Sequence, residues 1–326
     1  MEKVIIDSCV FFHMLKANYI YKNKGENLFN EYKSNITLEI NNLKEKIFIL
    51  MDEEFLSKYS ISMPRFITLL NVYNAYIRDK LNVSKISISY IKNALKGEYQ
   101  TKNGLIYKID LSKERKQILE NKLAVLENQY EIFQKKIKEF EILLKEYKEK
   151  YQPYFCTLLY DKMIRGEIEF FLVADSEKEI NRHVGNPNNS INCFTYFDKE
   201  DVFSLLKNCK IINLKSRNKN KSIMFLSQEY RTRDDDKGSC MDGDKNSLKV
   251  YGDSRIMAEA SIAGYTFITL NEKDFITDKS KKLGNDFIRR HIQEVNKRNP
   301  KIAHNIMIYS PWEYLIHLGA YKIMNT

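Results

Sequence analysis

Hydrophobic positions near both ends of the chain occur in short, β-branched runs, and a polar residue follows most of them directly. Runs of this length, bounded by turn-forming residues, predict buried strands. From Gly166 onward they alternate with helical patterns, which favours an α/β fold with a mostly parallel sheet. We predict about five strands: Lys3–Asp7, Ile168–Ala174, Lys210–Leu214, Thr266–Leu270 and Ile306–Tyr309.

The long middle section has helical periodicity instead. Its apolar residues recur at alternating steps of four and three, which is the heptad pattern of a coiled coil. The stronger series comprises Leu119, Leu123, Leu126, Tyr130, Phe133, Ile137, Phe140, Leu144, Tyr147 and Tyr151. A weaker series comprises Phe29, Ile36, Ile40, Leu43, Ile47 and Leu50. We expect the two series to pack as an antiparallel arm.

Between the two heptad series, local signals predict a small folded lobe. Pro64, a helical pattern at 66–77 and the hairpin signal Asn103-Gly104 all favour structure over a plain loop. The predicted organisation is an α/β core, residues 1–18 and 166–326, interrupted by a helical insertion, residues 19–165.

Charge and cysteine content indicate what kind of partner the chain binds and in which compartment it is found. The formal net charge is +10, and basic residues are dense at 215–221, at Arg231 and Arg233, and at 279–301. Such segments bind polyanions by counterion release, although a charge run also forms an ordinary solvated face. The five cysteines form no CxxC pair, and no stretch is typical of a signal peptide or membrane span. We expect a cytoplasmic protein with reduced thiols.

Acidic and amide side chains come at the ends of the predicted strands or just after them. They are Asp7, Asp175, Glu179, Asn271 and Asp274. Asp253 opens a helix whose apolar face includes Ile256 and Ala260 and which Gly264 ends. Because parallel strands bind ligands beyond their carboxyl ends, we expect several of these side chains to lie close together.

Each of the acidic side chains also has a simpler interpretation. Asp7 and Asp253 are suitable helix caps, an S-x-x-E capping box accounts for Glu179, and Asp175 and Asp274 suit turns. A carboxylate at the end of an otherwise apolar strand is nevertheless expensive to bury without a partner, which favours a functional role for Asp7.

Four motifs together resemble a PIN-domain nuclease in order and spacing. They are VIIDSCVFF at 4–12, FLVADSEKEI at 171–180, GDSRIMAEASIAGYTFITLNEKDF at 252–275 and IMIYSPWEYL at 306–315. The resemblance covers about the first fifteen residues and most of 166–315, so the helical section is an insertion. It implies a three-layer α/β core whose clustered acids bind Mg²⁺ or Mn²⁺ and cleave phosphodiester bonds, most often in RNA.

The resemblance also implies a set of site residues. Asp7, Glu179, Asp253 and Asp274 would be catalytic, and these four together with Asn271 would hold the metal. Asn271 lies eighteen positions after Asp253, where the family often has Asp or Asn, while Asp274 offers a full charge. Both stay open as the fourth ligand. Glu54 is an alternative to Glu179 as the second acid.

The predicted function is therefore that of a metal-dependent endonuclease acting on RNA rather than DNA, with the basic C-terminal half holding the phosphate backbone. The chain is larger than a minimal PIN toxin, which suggests a regulated nuclease of a toxin or antiviral defence system. The arm is expected to extend the nucleic-acid surface, to bind a protein partner or to self-associate. The alternatives are a noncatalytic nucleic-acid-binding scaffold with a degenerate PIN-like core and a flap-type DNA nuclease.

Overall fold

The computed structural model describes residues 1–59, 66–100, 106–108, 110–184, 199–214, 216–231, 253–271 and 287–319. The chain divides into two compact units, the first formed by residues 1–40 with 150–326 and the second by residues 41–149. Both boundaries fall within helices, so the division differs from the predicted insertion of residues 19–165, whose extent stays a prediction.

The described residues form the following elements. The strands are β1 Glu2–Ile6, β2 Glu98–Gln100, β3 Ile106–Lys108, β4 Ile168–Val173, β5 Lys210–Ile212, β6 Thr266–Ile268 and β7 Ile308–Tyr309. The helices are α1 Ser8–Lys24, α2 Glu26–Leu50, α3 Glu53–Tyr59, α4 Phe66–Leu95, α5 Lys113–Ile164, α6 Ala174–Val184, α7 Lys199–Leu206, α8 Arg217–Arg231, α9 Asp253–Ala263, α10 Phe287–Arg298 and α11 Pro311–His317.

A five-stranded parallel sheet organises the described part of the first unit. Its strand order is β5-β4-β1-β6-β7, and every pairing in it is parallel. The prediction of an α/β fold with a mostly parallel sheet of five strands is confirmed. The chain adds β4 and β5 on one side of β1 and then β6 and β7 on the other. The order therefore reverses at β1, and ligands bind beyond the carboxyl ends at such a reversal.

Buried apolar side chains explain why these segments form the sheet. Val4, Ile5 and Ile6 in β1 have no exposed surface, and β4 is buried along nearly its whole length. A strand that is covered on both faces has a continuous run of apolar residues in its sequence, and such runs are the pattern from which the strands were predicted. Gly264 ends α9 as predicted, with φ +79°, and an added Cβ would lie 2.8 Å from the His304 ring.

Antiparallel helices dominate the second unit. Along α4 and α5, Lys92 pairs with Glu127 at 2.7 Å, while the rings of Tyr73 and Phe140 lie 5.0 Å apart. The sequence predicted a helix only to Ile77, but α4 continues to Leu95. The hairpin prediction is confirmed by the antiparallel pairing of β2 with β3, while Asn103-Gly104 and Pro64 lie outside the described residues.

The heptad positions of α5 are not equally buried. Ile137, Phe140, Leu144 and Tyr147 are buried, whereas the five positions from Leu119 to Phe133 are half-buried. In the first unit, α2 and α5 also run antiparallel, because Lys33 pairs with Asp161 at 2.9 Å and Glu39 with Lys150 at 2.7 Å. No helix in the described ranges has the length and apolar character needed to cross a bilayer.

Candidate functional site

Three neighbouring strands bring polar residues to one edge of the sheet. Asp7 follows the central strand β1, Asp175 follows β4, and Thr269 to Asn271 follow β6. Since β1 lies between β4 and β6 and all three run in the same direction, these residues share the carboxyl edge. This edge is where the strand order reverses, so the fold itself marks it as the place for a site.

Asp7 is buried and holds a defined position between α1 and β6. It is the N-cap residue of α1, and its Oδ1 accepts a hydrogen bond from the Ser8 backbone N–H at 2.8 Å. Its Oδ2 accepts from Cys9 Sγ and from Thr269 Oγ1, both at 2.9 Å. Asp7 therefore caps a helix with one oxygen while the other faces the end of β6.

Burial raises the pKa of Asp7, although the bonds from Cys9, Thr269 and Ser8 act in the opposite direction. All three of these donors are neutral. A buried carboxylate loses the solvation of its charge, and a nearby cation is what most effectively restores the stability of the ionised form. The environment of Asp7 is therefore one in which a bound cation would be stabilising.

Glu179 reaches the same place from α6. Its Oε2 accepts a hydrogen bond from Ser8 Oγ at 2.7 Å, and the same hydroxyl lies 3.4 Å from Asp7 Oδ1. The capping-box interpretation of this glutamate is not supported, because α6 begins at Ala174 and the Ser176 hydroxyl makes no hydrogen bond within the described structure. Ser8 thus links two of the predicted site residues.

Glu54, the alternative second acid, has a different environment. It lies on α3 in the second unit, where its exposed carboxylate accepts from Lys80 Nζ at 3.1 Å. The bond from Lys80 lowers the pKa of Glu54. The pairing with a lysine accounts for this glutamate without a metal, so the geometry favours Glu179.

Asp253 and Asn271 form the other half of the cluster. Asp253 is the first residue of α9, and its Oδ2 accepts from Asn271 Nδ2 at 3.1 Å. The backbone N–H of Asn271 donates to Thr269 Oγ1 at 2.9 Å, and that hydroxyl donates to Asp7. A continuous set of hydrogen bonds therefore joins Asp253 to Asp7. Asp274 lies outside the described residues, so its role stays a prediction.

A second charged cluster lies beside the first. The buried carboxylate of Asp175 accepts from Lys178 Nζ, on the same helix, at 2.7 Å. It also forms an ion pair with Arg255 of α9. The backbone N–H of Asp175 donates to Glu259 Oε2, also on α9, at 3.1 Å. Burial, followed by repulsion from Asp175, raises the pKa of Glu259 to about 7. These contacts join α6, which carries Glu179, to α9, which carries Asp253.

Sequence reasoning missed several of these residues. Ser8, Cys9 and Thr269 connect the predicted acids, and Arg255 with Glu259 connects the two helices. Only one signal in the sequence pointed to them: Arg255 and Glu259 are charged residues four apart on an otherwise apolar helix, and such residues share a helix face. The partners of Ser8 and Thr269 lie far away in the chain, beyond the reach of local patterns.

The donor set suits a hard divalent cation. No three His, Cys, Asp or Glu side chains within the described residues are grouped closely enough to hold a metal ion by themselves. Mg²⁺ does not require such a group, because it usually binds through one or two carboxylates and keeps several waters. Asp7, Glu179 and Asp253 offer carboxylates and Asn271 offers an amide oxygen, which are donor types that Mg²⁺ accepts.

Comparisons of the chain with protein-family models, with curated proteins and with solved structures found no match. The assignment of a function therefore rests on the residues at the carboxyl edge of the sheet.

Proposed function

We propose that this protein is a metal-dependent nuclease of the PIN type that cleaves RNA. The single observation that carries the proposal is the meeting of Asp7, Glu179, Asp253 and Asn271 at one edge of the sheet. They come from separate parts of the chain. Ser8, next to Asp7, donates its hydroxyl to Glu179 Oε2 at 2.7 Å. Thr269 donates to Asp7 Oδ2 at 2.9 Å and accepts from the backbone N–H of Asn271, whose side chain donates to Asp253.

Carboxylates in this arrangement would hold Mg²⁺ or Mn²⁺. When bound, such an ion supplies a water of lowered pKa and neutralises charge that develops on the phosphate. Asp7 would act as the fixed ligand, because three donors orient it. Glu179 and Asp253 would complete the acidic surface from two different helices, and Asn271 orients Asp253 through its amide.

A purely structural role accounts less well for Asp7. A helix cap needs one carboxylate oxygen, and Oδ1 supplies it. The second oxygen is buried against Cys9 and Thr269, where desolvation raises the pKa of the group. An asparagine would cap the helix equally well without that desolvation penalty. The presence of a carboxylate at this buried position therefore supports a cation-binding role.

A noncatalytic nucleic-acid-binding scaffold is the second candidate, and one observation favours it. Hydrogen bonds from Ser8 and Asn271 already occupy an oxygen of Glu179 and of Asp253, and no three-ligand group occurs in the described part of the chain. A degenerate core, in which neighbouring donors have replaced the metal, would have these features. The two candidates predict different results in a cleavage assay.

The test of the proposed function is cleavage of a fluorescent single-stranded RNA in Mn²⁺ by the wild type, Asp7→Asn and Asp253→Asn. Loss of a metal ligand should reduce the rate by more than about 100-fold, since even outer-shell changes often reduce it 10- to 100-fold. Asp79→Asn, which changes an exposed aspartate on α4, is the matched control and should cleave normally.

Two further measurements complete this test. Excess EDTA should abolish cleavage, and added Mn²⁺ should restore it. Competition between RNA and a flapped DNA would separate a ribonuclease from a flap-type DNA nuclease. Equal cleavage by all four proteins would indicate a contaminating nuclease and would contradict the proposal, as would the absence of cleavage in the wild type.

A further inference from the structure

Helix α8 extends past the core at the same edge of the sheet as the acidic cluster. Residues from Ile223 onward bury one face, with Ile223, Leu226 and Tyr230 in the core. Residues 216–221, by contrast, are exposed on every side. Among the described residues, the first turns of α8 therefore project beyond the core that the rest of the helix covers.

The direction of this projection follows from the contacts between α8 and α9. Ser227 Oγ lies 3.0 Å from Ser254 Oγ, and Tyr230 OH donates to Ser261 Oγ at 2.9 Å. Later residues of α8 thus contact later residues of α9, so the two helices run in the same direction. Because α9 begins at Asp253, the amino-terminal turns of α8 extend beyond the end of α9 that carries this acid.

The projecting turns are basic. Arg217, Lys219 and Lys221 are exposed there, and Glu229, near the other end of α8, is its only acidic residue. Arg217 lies ten residues before Ser227, which corresponds to about 15 Å along a helix axis. Lys219 continues the row of Ile223, Leu226 and Tyr230 at steps of four and three, so it is on the side of α8 that packs against α9.

Apolar side chains follow the basic ones on the exposed face of α8. Phe225 is 43% exposed and Met224 52% exposed, and Phe225 lies four residues after Lys221. Single-stranded nucleic acids are bound by surfaces of this kind, in which cations contact the phosphates and an aromatic ring stacks on a base. We propose that the exposed face formed by Arg217, Lys221 and Phe225, with Lys219 on the adjoining side of the same turns, binds single-stranded RNA just beyond the end of α9 that carries Asp253. This inference deepens the proposed function and rests on it for the choice of RNA.

The chain offers a matched control at the opposite end of the same unit. Lys297, Arg298 and Lys301 are also exposed, but they follow Asn296, whose side chain donates to Ser261 at the far end of α9. A general effect of positive charge would involve both groups of residues equally. A surface that serves the acidic cluster would involve only the residues of α8.

The test is fluorescence anisotropy of a labelled 20-nucleotide single-stranded RNA in EDTA, which prevents cleavage, at several salt concentrations. The triple variant Arg217→Gln, Lys219→Gln, Lys221→Gln should bind about 100-fold more weakly at 0.1 M salt, and its log–log salt slope should fall by about 2. Phe225→Ala should weaken binding about tenfold, whereas Phe203→Ala, which removes another exposed ring, should have little effect.

The triple variant Lys297→Gln, Arg298→Gln, Lys301→Gln should bind as the wild type does. Equal weakening by the two triple variants, wild-type affinity in the α8 variant, no binding by the wild type, or tighter binding of duplex RNA would each overturn the inference. RNA binding through α8 without any cleavage in Mn²⁺ would support the inference and contradict the nuclease proposal. Cleavage and full RNA affinity in the α8 variant would support the nuclease proposal and contradict the inference.

Discussion

Two polar networks lie at opposite ends of helix α9, and their chemistry differs. At the carboxyl end, Tyr230, Ser261 and Asn296 are buried neutral groups that bond to one another at 2.6 to 3.1 Å. At the amino end, Asp253 and Asn271 continue through Thr269 to the buried carboxylate of Asp7. The neutral network satisfies its own hydrogen-bonding groups, whereas the acidic one contains the buried carboxylate of Asp7, which accepts hydrogen bonds from the neutral groups of Ser8, Cys9 and Thr269.

This difference separates structure from function within one helix. Buried neutral groups that are fully bonded rigidify a core, and their loss leaves a partner unsatisfied. Buried or half-buried acids that lie together are unfavourable for stability unless a cation or a raised pKa relieves their repulsion. The first network should therefore matter for folding and the second for activity.

The largest expected effect comes from disrupting each of the two networks separately. Asp253→Asn should lower RNA cleavage by more than about 100-fold while changing the free energy of unfolding by less than about 0.5 kcal/mol. Asn296→Ala should instead destabilise the fold by about 1 to 3 kcal/mol, because Tyr230 and Ser261 lose a partner. Urea unfolding and cleavage per folded molecule measure the two effects, and the same pattern in both variants would break the distinction.

The next effect concerns pH and Glu259. Its folded-state pKa of about 7 exceeds the unfolded value of 4.5, so its contribution to stability is complete below pH 4.5 and is lost as the pH rises through 7. Glu259→Gln removes this titration, so between pH 5 and pH 8 the wild type should lose on the order of 2 kcal/mol of stability relative to the variant. Thermal melts at pH 5 and pH 8 measure the difference, and Glu294→Gln, an exposed glutamate on α10, is the control.

Parallel curves for Glu259→Gln and the wild type from pH 5 to pH 8 would show that the carboxyl of Glu259 is not perturbed. The ion pair between Asp175 and Arg255 would then be the charged contact that joins α6 to α9.

A smaller effect is expected at the glycine that ends α9. Gly264→Ala places a Cβ in a backbone conformation with φ +79° and 2.8 Å from His304, so it should lower stability by about 2 kcal/mol. Gly166 has φ +71° with no atom within 4 Å, and Gly166→Ala should lower stability by only about 1 kcal/mol. Urea midpoints compare the two. Equal losses would mean that the close approach of His304 contributes nothing.

The strands of the sheet were predictable because they are buried on both faces and form continuous apolar runs. The sequence also indicated Asp7, Glu179 and Asp253 as site candidates, since each is close to a strand end or opens a helix. The hydrogen bonds between them were not predictable. The link from Ser8 to Glu179 joins residues on different helices, and nothing in either local pattern requires it.

The arm was only partly predictable, for a related reason. The buried positions of α4 include Tyr73, Ile77 and Ile91, but Lys80 and Ser84 interrupt the apolar spacing between them. The periodicity therefore indicated a helix only as far as Ile77. Tertiary packing against α5 supplies the remaining stability, as is usual for helices in proteins.

The central claim is that the carboxyl edge of the sheet binds a divalent cation. Calorimetric titration of the full chain with Mn²⁺, without RNA, tests it most directly. The account predicts binding of one or two ions by the wild type and its loss in the double variant Asp7→Asn, Asp253→Asn, with unchanged binding in Asp79→Asn. Absence of Mn²⁺ binding by the wild type, or equal binding by the double variant, would contradict the account.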